Sequence, residues 1–267
     1  MSFGPYLTYW GLQPDGPAIQ TPSSDLLPVS YGAMAAMLKI AHDDEERRGN
    51  GVMVWWAGRG AARVYQHDGA ALLMERLDVH PSLLEMVAAG QDDEATRILC
   101  RAAASLPRAR PWPELPTLRR WFRSLEAVAP ATGGVFATAL ATAHELLDAP
   151  QEVGVLHGDI HHQNLLHSSF GGWRFIDPKG ILGERGFDSA NILCNPDLGT
   201  ATVPGRLARQ ARVIANTANL ELERVLGWAL AYAGLSAAWH LEAGESELAQ
   251  TTLEVARIAA AELGRTI

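Results

Sequence analysis

The 267-residue sequence has little cysteine, no excess of basic residues and no obvious targeting segment. Its two cysteines, Cys100 and Cys194, lie in apolar stretches, so we expect reduced, buried thiols and no disulfide framework. With 22 basic against 30 acidic residues, the formal net charge is -8, which argues against a nucleic-acid partner bound through its phosphates. The acidic balance instead suits a cationic or neutral partner.

Nothing in the sequence indicates a membrane span or a secretory leader. The first residues lack the basic and apolar regions of a signal peptide. Two long stretches without charge, 127–143 and 228–239, do not qualify as membrane spans. The first is broken by a proline and a glycine pair, and the second is shorter than the roughly 20 residues of a membrane helix. We therefore expect a cytoplasmic protein without a membrane partner.

The first part of the chain has the pattern of a small β-sheet. Short apolar runs at 33–40, 61–65 and 70–74 are typical of strands. Asp43 and Asp44 are placed to cap one helix, although the glycines that follow weaken it. Residues before position 30 lack a clear strand pattern.

The rest of the chain has mostly helical periodicity. Apolar residues recur at helical spacing over four stretches: 92–106, 135–147, 220–241 and 247–263. Three prolines mark 108–116 as a connection. The pattern predicts an α+β protein with a small β-rich N-lobe over residues 1–76 and a larger, mostly helical C-lobe over residues 77–267.

The segment 153–177 carries the side chains best suited to chemistry. An apolar strand leads into a polar loop at 157–164, and a short hairpin follows it. A hairpin of that length returns its end towards the loop. Asp159, Asn164 and Asp177 are therefore predicted to converge on one point.

Three oxygen-bearing side chains at one point suit phosphoryl transfer, which depends on positioning and on neutralising phosphate charge. Magnesium prefers oxygen ligands and takes only one or two protein carboxylates, a demand that Asp177 and Asn164 meet. A carboxylate off the metal, Asp159, can orient a hydroxyl group and accept its proton. Lys39, at the end of an apolar strand, could reach nucleotide phosphates if a carboxylate on the next helix, at position 45 or 46, held it.

The same segment also allows a metal-dependent hydrolase, because histidine and aspartate at short spacing can bind zinc or iron. The residues concerned are His157, Asp159, His161, His162 and His167. No further cluster at ligand spacing follows downstream, and this interpretation leaves Asn164 and Lys39 without a role.

The motif His157-Gly158-Asp159-x-His161-x-x-Asn164, followed by Phe175-Ile176-Asp177-Pro178, resembles the catalytic and metal-binding loops of the aminoglycoside phosphotransferases. Weaker matches extend the resemblance over roughly residues 25–260 and are closest to the streptomycin 6-phosphotransferase branch, which is grouped with hydroxyurea kinases. The resemblance implies a bilobal protein-kinase-like fold. It also implies ATP- and Mg²⁺-dependent phosphorylation of streptomycin at the 6-hydroxyl, with antibiotic resistance as the outcome.

Other acceptors remain open under the same resemblance: another aminoglycoside, hydroxyurea, or a choline- or homoserine-like molecule. Two further alternatives are a non-catalytic nucleotide-binding protein of this fold and a protein kinase. Phe187 follows Asp177 by only ten positions, which leaves no room for a long activation segment that would dock a peptide.

The resemblance implies a role for individual residues. Asp159 corresponds to the catalytic base, and Asn164 and Asp177 to the magnesium ligands. Lys39 corresponds to the lysine on the third strand of the small lobe, with Glu46 as its expected partner and Glu45 as the other candidate. The hinge that meets adenine corresponds to Met74, Glu75, Arg76 and Leu77.

The phosphate-covering region departs from the family pattern, because residues 20–30 contain no glycine. Ser23 and Ser24 are expected to contact the phosphates instead. Asp188 resembles the aspartate that braces the catalytic loop.

Streptomycin carries guanidinium groups, which pair with carboxylates and stack on aromatic faces. The candidate acceptor-binding residues are therefore Asp159, Glu184, Asp188, Asp197, Trp239 and Glu242. We expect a monomer whose partner is a cationic small molecule.

Overall fold

The computed structural model describes residues 2–109 and 115–267. The strands are β1 (Leu12–Pro14), β2 (Ile19–Gln20), β3 (Ser24–Tyr31), β4 (Met34–Ala41), β5 (Val64–Asp68), β6 (Ala71–Glu75), β7 (Val153–Leu156), β8 (Leu165–His167), β9 (Trp173–Phe175) and β10 (Ile181–Glu184). The helices are α1 (Gly4–Tyr9), α2 (Asp44–Trp56), α3 (Leu83–Ala88), α4 (Asp92–Ala104), α5 (Leu118–Trp121), α6 (Arg123–Thr132), α7 (Gly134–Asp148), α8 (Ala190–Leu193), α9 (Leu198–Ala201), α10 (Arg206–Ala218), α11 (Leu222–Glu242) and α12 (Ser246–Glu262). A 3₁₀ helix spans Arg185–Ser189.

The chain groups into two compact units. Unit 1 consists of Met1–Ser82, Ser105–Pro107 and Gln163–Gly180. Unit 2 consists of Leu83–Ala104, Arg108–His162 and Ile181–Ile267. The β8–β9 hairpin belongs to unit 1 because its strands form bridges there, Phe175 with Ala61 and His167 with Asp78. The connection predicted over 108–116 lies partly outside the described residues.

Unit 1 is built on an antiparallel sheet with the strand order β1-β3-β4-β6-β5, to which β2 adds at β3. The strands predicted over 33–40 and 70–74 are confirmed as β4 and β6, whereas the strand predicted over 61–65 begins three residues later, as β5. Strand β3, which sequence analysis missed, pairs with β4 over its whole length, from Ser24 opposite Ala41 to Tyr31 opposite Met34. It is hard to recognise because only alternate residues such as Leu27 and Val29 are buried and a proline lies between them.

Helix α2 begins where the sequence predicts. The side chain of Asp43 accepts a hydrogen bond of 2.9 Å from the backbone N–H of Glu46, which is an N-cap. The helix continues through Gly49, where a Cβ atom would collide with the carbonyl oxygen of Pro178. The absence of a side chain at Gly49 therefore allows α2 to approach the segment that follows β9.

Unit 2 is mainly helical and is centred on α11. Helices α7 and α12 pack against α11, whose Trp228, Leu230 and Leu235 are fully buried. The predicted helices are confirmed as α4, α7, α11 and α12. The β7–β10 pair is antiparallel and lies next to the 3₁₀ helix. In the described ranges, no helix combines the length and the apolar character needed to cross a membrane.

A buried ion pair joins α4 to α10 in unit 2. The guanidinium group of Arg206 donates two hydrogen bonds of 2.8 Å to the Asp92 carboxylate, and Gln210 donates a third of the same length. Asp92 and Arg206 are 7% and 3% exposed. Burial alone would raise the pKa of Asp92, but the hydrogen bonds and positive charges of Arg206 and Arg209 outweigh it and lower that pKa.

Asp92→Asn is expected to lower the free energy of unfolding at pH 7 by about 3–5 kcal/mol, because it leaves Arg206 buried without a counter-charge. The folded-state pKa of Asp92 is depressed, so its contribution is complete above the unfolded-state pKa of about 3.9 and is lost as the pH falls through the folded-state value. Urea unfolding at pH 7 and pH 3 should show the difference between wild type and variant shrinking at the lower pH. Asp148→Asn, which affects an exposed pair with Arg119, is the control and should cost less than about 1 kcal/mol. An equal difference at both pH values would contradict the assignment.

Candidate active site

Both lysines of the chain lie in one charged cluster of unit 1. Lys39 on β4 donates hydrogen bonds to the carboxylates of Glu46 and Asp177. The Nζ atom of Lys179 lies 2.7 Å from Oε1 of Glu46 and 3.7 Å from Oδ2 of Asp177. The structure thus selects Glu46, not Glu45, as the partner of Lys39, and adds Lys179, which sequence analysis did not consider.

The cluster is held in a strained and buried arrangement. Lys39 and Glu46 are 5% and 2% exposed. Burial alone would raise the pKa of Asp177, but the charges of Lys39 and Lys179 prevail and hold that pKa well below its usual range. Asp177 also has a φ of 62°, in the left-handed region that a residue with a side chain seldom adopts. The result is an ionised carboxylate at a fixed position.

A cavity of about 250 Å³ in unit 1 opens onto this cluster. Its polar lining includes Thr21, Ser23, Ser24, Lys39, Asn50, Asn164 and Asp177. Its apolar lining includes Leu26, Met53, Leu72, Met74 and Ile176. Six of the residues singled out by sequence therefore meet at one cavity: Ser23, Ser24, Lys39, Met74, Asn164 and Asp177. Asn164 is fixed next to Asp177 by a hydrogen bond of 3.0 Å from the N–H of Ile176 to its carbonyl oxygen.

A tight turn over residues 21–24 forms one wall of the cavity without glycine. The Thr21 hydroxyl donates a 2.8 Å hydrogen bond to the carbonyl oxygen of Ser24 and accepts a 3.0 Å hydrogen bond from the Ser24 N–H. The carbonyl oxygen of Ser23 accepts a 2.9 Å hydrogen bond from the N–H of His42, beyond the end of β4. These bonds fix the turn in the lining of the cavity that also contains Lys39.

Of the four predicted hinge residues, only Met74 lines the cavity. The buried Glu75 side chain accepts hydrogen bonds from the Ser168 hydroxyl and from the N–H of Arg63. Arg76 pairs with Asp15 at 2.7 Å. The Glu75 and Arg76 side chains are therefore used within unit 1. The hinge contact of the backbone from Met74 to Leu77 with adenine stays a prediction.

Asp159 lies in unit 2, where two neighbours hold its carboxylate. Asn191 on α8 donates a 2.8 Å hydrogen bond to Oδ1, and Nε2 of His161 lies 3.8 Å from Oδ2. Asn191 is itself fixed by hydrogen bonds of 2.9 Å from Asn195. Sequence analysis missed the role of Asn191, because only the fold brings α8 to the loop. Asn164 and Asp177 belong to unit 1, so the convergence of all three side chains stays a prediction.

Asp188 braces this loop, as the resemblance implies. Its carboxylate accepts hydrogen bonds from the backbone N–H groups of His157, at 3.2 Å, and Gly158, at 2.8 Å. Arg108 lies 3.5 Å away. Burial raises the pKa of Asp188, although Arg108 and the two backbone donors oppose the shift. At 3% exposure, Asp188 positions the loop, and the structure argues against direct contact with an acceptor.

Two other acidic candidates also have structural roles. Glu184 is 2% exposed and accepts hydrogen bonds from Arg224, at 2.6 Å, and from the indole N–H of Trp228, at 2.8 Å. We therefore correct its assignment as an acceptor ligand, because its carboxylate is committed to internal donors. Asp197 is exposed but caps α9, where its side chain accepts a 2.8 Å hydrogen bond from the N–H of Thr200.

The last two candidates lie near the C-terminal end of α11. Trp239 is half-buried and meets Trp121 edge-on, with ring centroids 5.4 Å apart. Glu242 is exposed and accepts a 3.1 Å hydrogen bond from the hydroxyl of Ser124. Both remain candidates for acceptor binding.

The alternative of a metal-dependent hydrolase finds no ligand set in the residues that the structure describes. Within 2–109 and 115–267, no group of three or more His, Cys, Asp and Glu side chains is arranged to hold a metal ion. The loop histidines have other environments. The ring of His157 is fully buried and its Nδ1 accepts a 3.2 Å hydrogen bond from the N–H of Asp159, while His167 packs edge-on against Trp173.

Solved structures define the class of fold. The aminoglycoside phosphotransferase APH(4)-Ia, in a ternary complex with ADP and hygromycin B, is 14% identical with a TM-score of 0.64 over 96% of this chain and 97% of that chain. The choline kinase LicA from Streptococcus pneumoniae is 11% identical with a TM-score of 0.62 over 98% of this chain and 97% of that chain. The α+β, protein-kinase-like fold is therefore confirmed.

Sequence comparisons define the family. The model of the aminoglycoside/hydroxyurea antibiotic resistance kinases matches residues 9–244. A streptomycin 3″-kinase from Klebsiella pneumoniae is 45% identical over 254 residues, which are 92% of this chain and 95% of that protein. A streptomycin 6-kinase from Streptomyces griseus is 30% identical over 273 residues, or 92% of this chain and 84% of that protein. The chain belongs to the aminoglycoside/hydroxyurea antibiotic resistance kinase family, and it is a phosphotransferase.

Proposed function

We propose that this protein transfers the γ-phosphoryl group of ATP to a hydroxyl group of streptomycin. The observation that carries the proposal is the cavity of unit 1, where Lys39, Asn164 and Asp177 line a polar region next to apolar walls. Membership of a family of antibiotic kinases supports the same reaction class. Transfer to the drug would be expected to give resistance.

The residues of the cavity suit a nucleotide. Leu26, Leu72 and Met74 offer apolar surface for an adenine ring, and Ser23 and Ser24 lie in a turn that can meet phosphate oxygens. Lys39 would place its charge on the α- and β-phosphates, with Glu46 holding its side chain in position.

The donor set also suits magnesium. Asn164 and Asp177 supply one amide and one carboxylate oxygen beside the same cavity, and Asp177 is ionised at neutral pH. When bound there, magnesium would neutralise charge on the β- and γ-phosphates. Lys179, within 3.7 Å of Asp177, adds a second cation near the same carboxylate.

Glu46→Gln is expected to raise the KM for ATP about 10-fold or more, since charged hydrogen bonds are worth about 1.5–3 kcal/mol and two lysines share this carboxylate. Glu45→Gln is the matched control on the same helix. Glu45 is half-buried and forms an ion pair with Arg48 at 3.8 Å, with no ion pair to Lys39 in the described ranges, so its loss should change the KM less than about threefold. Steady-state kinetics with ATP as the varied substrate provide the measurement. Equal effects of the two changes would contradict the assignment of Glu46.

Asp159 is the proposed catalytic base. Its carboxylate, oriented by Asn191, would align the acceptor hydroxyl and take its proton as the hydroxyl oxygen bonds to the γ-phosphorus. The bond from that phosphorus to the β–γ bridging oxygen breaks, and ADP leaves with the electron pair. The loop that carries Asp159 is kept in place by Asp188 through the N–H groups of His157 and Gly158.

The 3″-hydroxyl is the acceptor position that we favour over the 6-hydroxyl suggested by the sequence motifs. The relative that acts at the 3″ position shares 45% identity with this chain, whereas the Streptomyces griseus 6-kinase shares 30%. A hydroxyurea phosphotransferase from Kitasatospora aureofaciens is also 30% identical, over 266 residues that make up 95% of this chain and 76% of that protein. Hydroxyurea is therefore the second acceptor to test.

The experiment is an ATP-consumption assay with streptomycin, hydroxyurea, kanamycin and choline, followed by NMR of the product. We expect turnover with streptomycin and a phosphorus coupling to the proton at the 3″ position. Coupling at position 6 would correct the regiochemistry and leave the substrate assignment intact. Turnover of hydroxyurea or kanamycin without turnover of streptomycin would contradict the proposal.

A further inference from the structure

A cluster of aromatic rings in unit 2 extends from the interior towards the surface. Its members are Trp121, Phe122, Phe187, Trp228, Tyr232 and Trp239. Phe122, Phe187 and Trp228 are at most 1% exposed, and Trp121 and Trp239 are half-buried. Tyr232 joins the two groups, since its ring lies 5.6 Å from that of Phe187 and 6.4 Å from that of Trp239. The cluster therefore extends from three buried rings to two half-buried indole rings.

Among the described residues, no hydrogen bond to the hydroxyl group of Tyr232 is found, and this hydroxyl is not one of the fully enclosed polar atoms, although the whole residue is only 8% exposed. Buried tyrosines usually place their hydroxyl against a protein donor or acceptor. The packing of this ring is thus complete while its polar atom lacks a protein partner. Such a group is suited to a ligand.

The helix that carries Tyr232 packs against the elements that hold Asp159 and its loop. Helix α11, which carries Tyr232, packs on α8 and on the 3₁₀ helix. Asn191 of α8 donates to the Asp159 carboxylate, and Asp188 of the 3₁₀ helix holds the backbone next to it. Burial, and after it the negative charge of Asp159, raise the pKa of Tyr232 well above its usual value, so the hydroxyl stays protonated at neutral pH.

We propose that Tyr232 is an acceptor-binding residue, whose hydroxyl donates a hydrogen bond to a sugar oxygen of the aminoglycoside near the reacting hydroxyl. Trp239 and Trp121 form the adjoining wall, against which a guanidinium group of the acceptor stacks. Glu242, exposed at the end of the same helix, supplies a carboxylate near that wall. This inference rests on the proposed function, and it specifies which surface of unit 2 selects a cationic, polyhydroxylated acceptor.

The test is Tyr232→Phe, which removes only the hydroxyl. Because that hydroxyl has no partner in the described protein, the melting temperature should not change. The KM for streptomycin should rise about 3- to 10-fold, as expected for one lost hydrogen bond, with the KM for ATP unchanged. Trp239→Leu should raise the KM for streptomycin about 3- to 30-fold through loss of cation–π stacking. Tyr9→Phe, at a residue that is 77% exposed, is the control and should match the wild type.

Different results would contradict the proposed function and the inference about Tyr232. Absence of turnover and of calorimetric binding of streptomycin by the wild type would contradict the proposed function and this inference with it. A wild type that phosphorylates streptomycin together with a Tyr232→Phe variant of unchanged KM would overturn this inference alone. A fall in melting temperature without a change in KM would likewise overturn it, because it would assign the hydroxyl a structural role.

Discussion

Asp159→Asn is expected to lower kcat for streptomycin phosphorylation by about 10²- to 10⁴-fold, the usual contribution of a positioned general base. The amide is nearly isosteric with the carboxylate but cannot accept the hydroxyl proton. ATP affinity should be unchanged, because the lysine and the oxygen donors proposed to hold the nucleotide, Lys39, Asn164 and Asp177, all line a cavity of unit 1. Steady-state kinetics and calorimetric titration with ATP separate these two quantities.

Asp197→Asn is the matched control for this change. Asp197 is an exposed aspartate of unit 2 that caps α9 through the N–H of Thr200. Its replacement should leave kcat within about threefold of the wild type, and asparagine is itself a good N-cap, so stability should change little. Full activity in Asp159→Asn would show that the base has been assigned wrongly. Strong loss in Asp197→Asn would restore Asp197 as a candidate for acceptor binding.

The second large effect is expected from Gly49→Ala in α2. A Cβ atom at Gly49 would collide with the carbonyl oxygen of Pro178, so either the helix or the Asp177-Pro178 segment must move. Overpacking of this kind costs about 1–3 kcal/mol or more in unfolding free energy. The same shift would move Glu46 on the helix away from Asp177. Lys39 donates hydrogen bonds to both carboxylates and depends on their closeness. Since misplacement by about 1 Å can cost on the order of 100-fold in rate, kcat should fall by a comparable factor.

Gly227→Ala in α11 is the control, because it makes the same glycine-to-alanine change within a helix but without the collision. The nearest atom to a Cβ at Gly227 is a methyl carbon of Leu146 at 3.4 Å, an ordinary contact. Alanine should therefore be tolerated there and could stabilise the helix by up to about 1 kcal/mol. Urea unfolding and kinetics of both variants provide the comparison. A Gly49→Ala protein as stable and active as Gly227→Ala would contradict the close approach of α2 to Pro178.

Local chemistry made much of the site predictable from sequence. Asp159, Asn164 and Asp177 stand at fixed spacings in one segment, and Lys39 ends an apolar run that indeed forms β4. The capping residue Asp43 marks the start of α2 in the sequence. It therefore places Glu46 on the helix that follows β4, the strand of Lys39. These signals come from residues that are close in sequence, so they can be recognised without knowledge of tertiary contacts.

The remainder depends on contacts between distant segments. Lys179 reaches Glu46 only because Gly49 lets α2 approach the chain after β9. Asn191 became a partner of Asp159 through the packing of α8, which no local spacing encodes. The sequence makes Glu184 a candidate acceptor-binding residue, yet Arg224 and Trp228, some forty residues later, donate hydrogen bonds to its buried carboxylate.

The most direct test of the central claim is transfer of label from ATP to the drug. Purified protein would be incubated with γ-³²P-labelled ATP, magnesium and streptomycin, and the drug would then be separated and counted. The account predicts one labelled phosphate per streptomycin molecule, and labelling of the drug that is at least about 100-fold slower with the Asp159→Asn variant. Unlabelled streptomycin from a folded wild type that binds ATP would contradict the account.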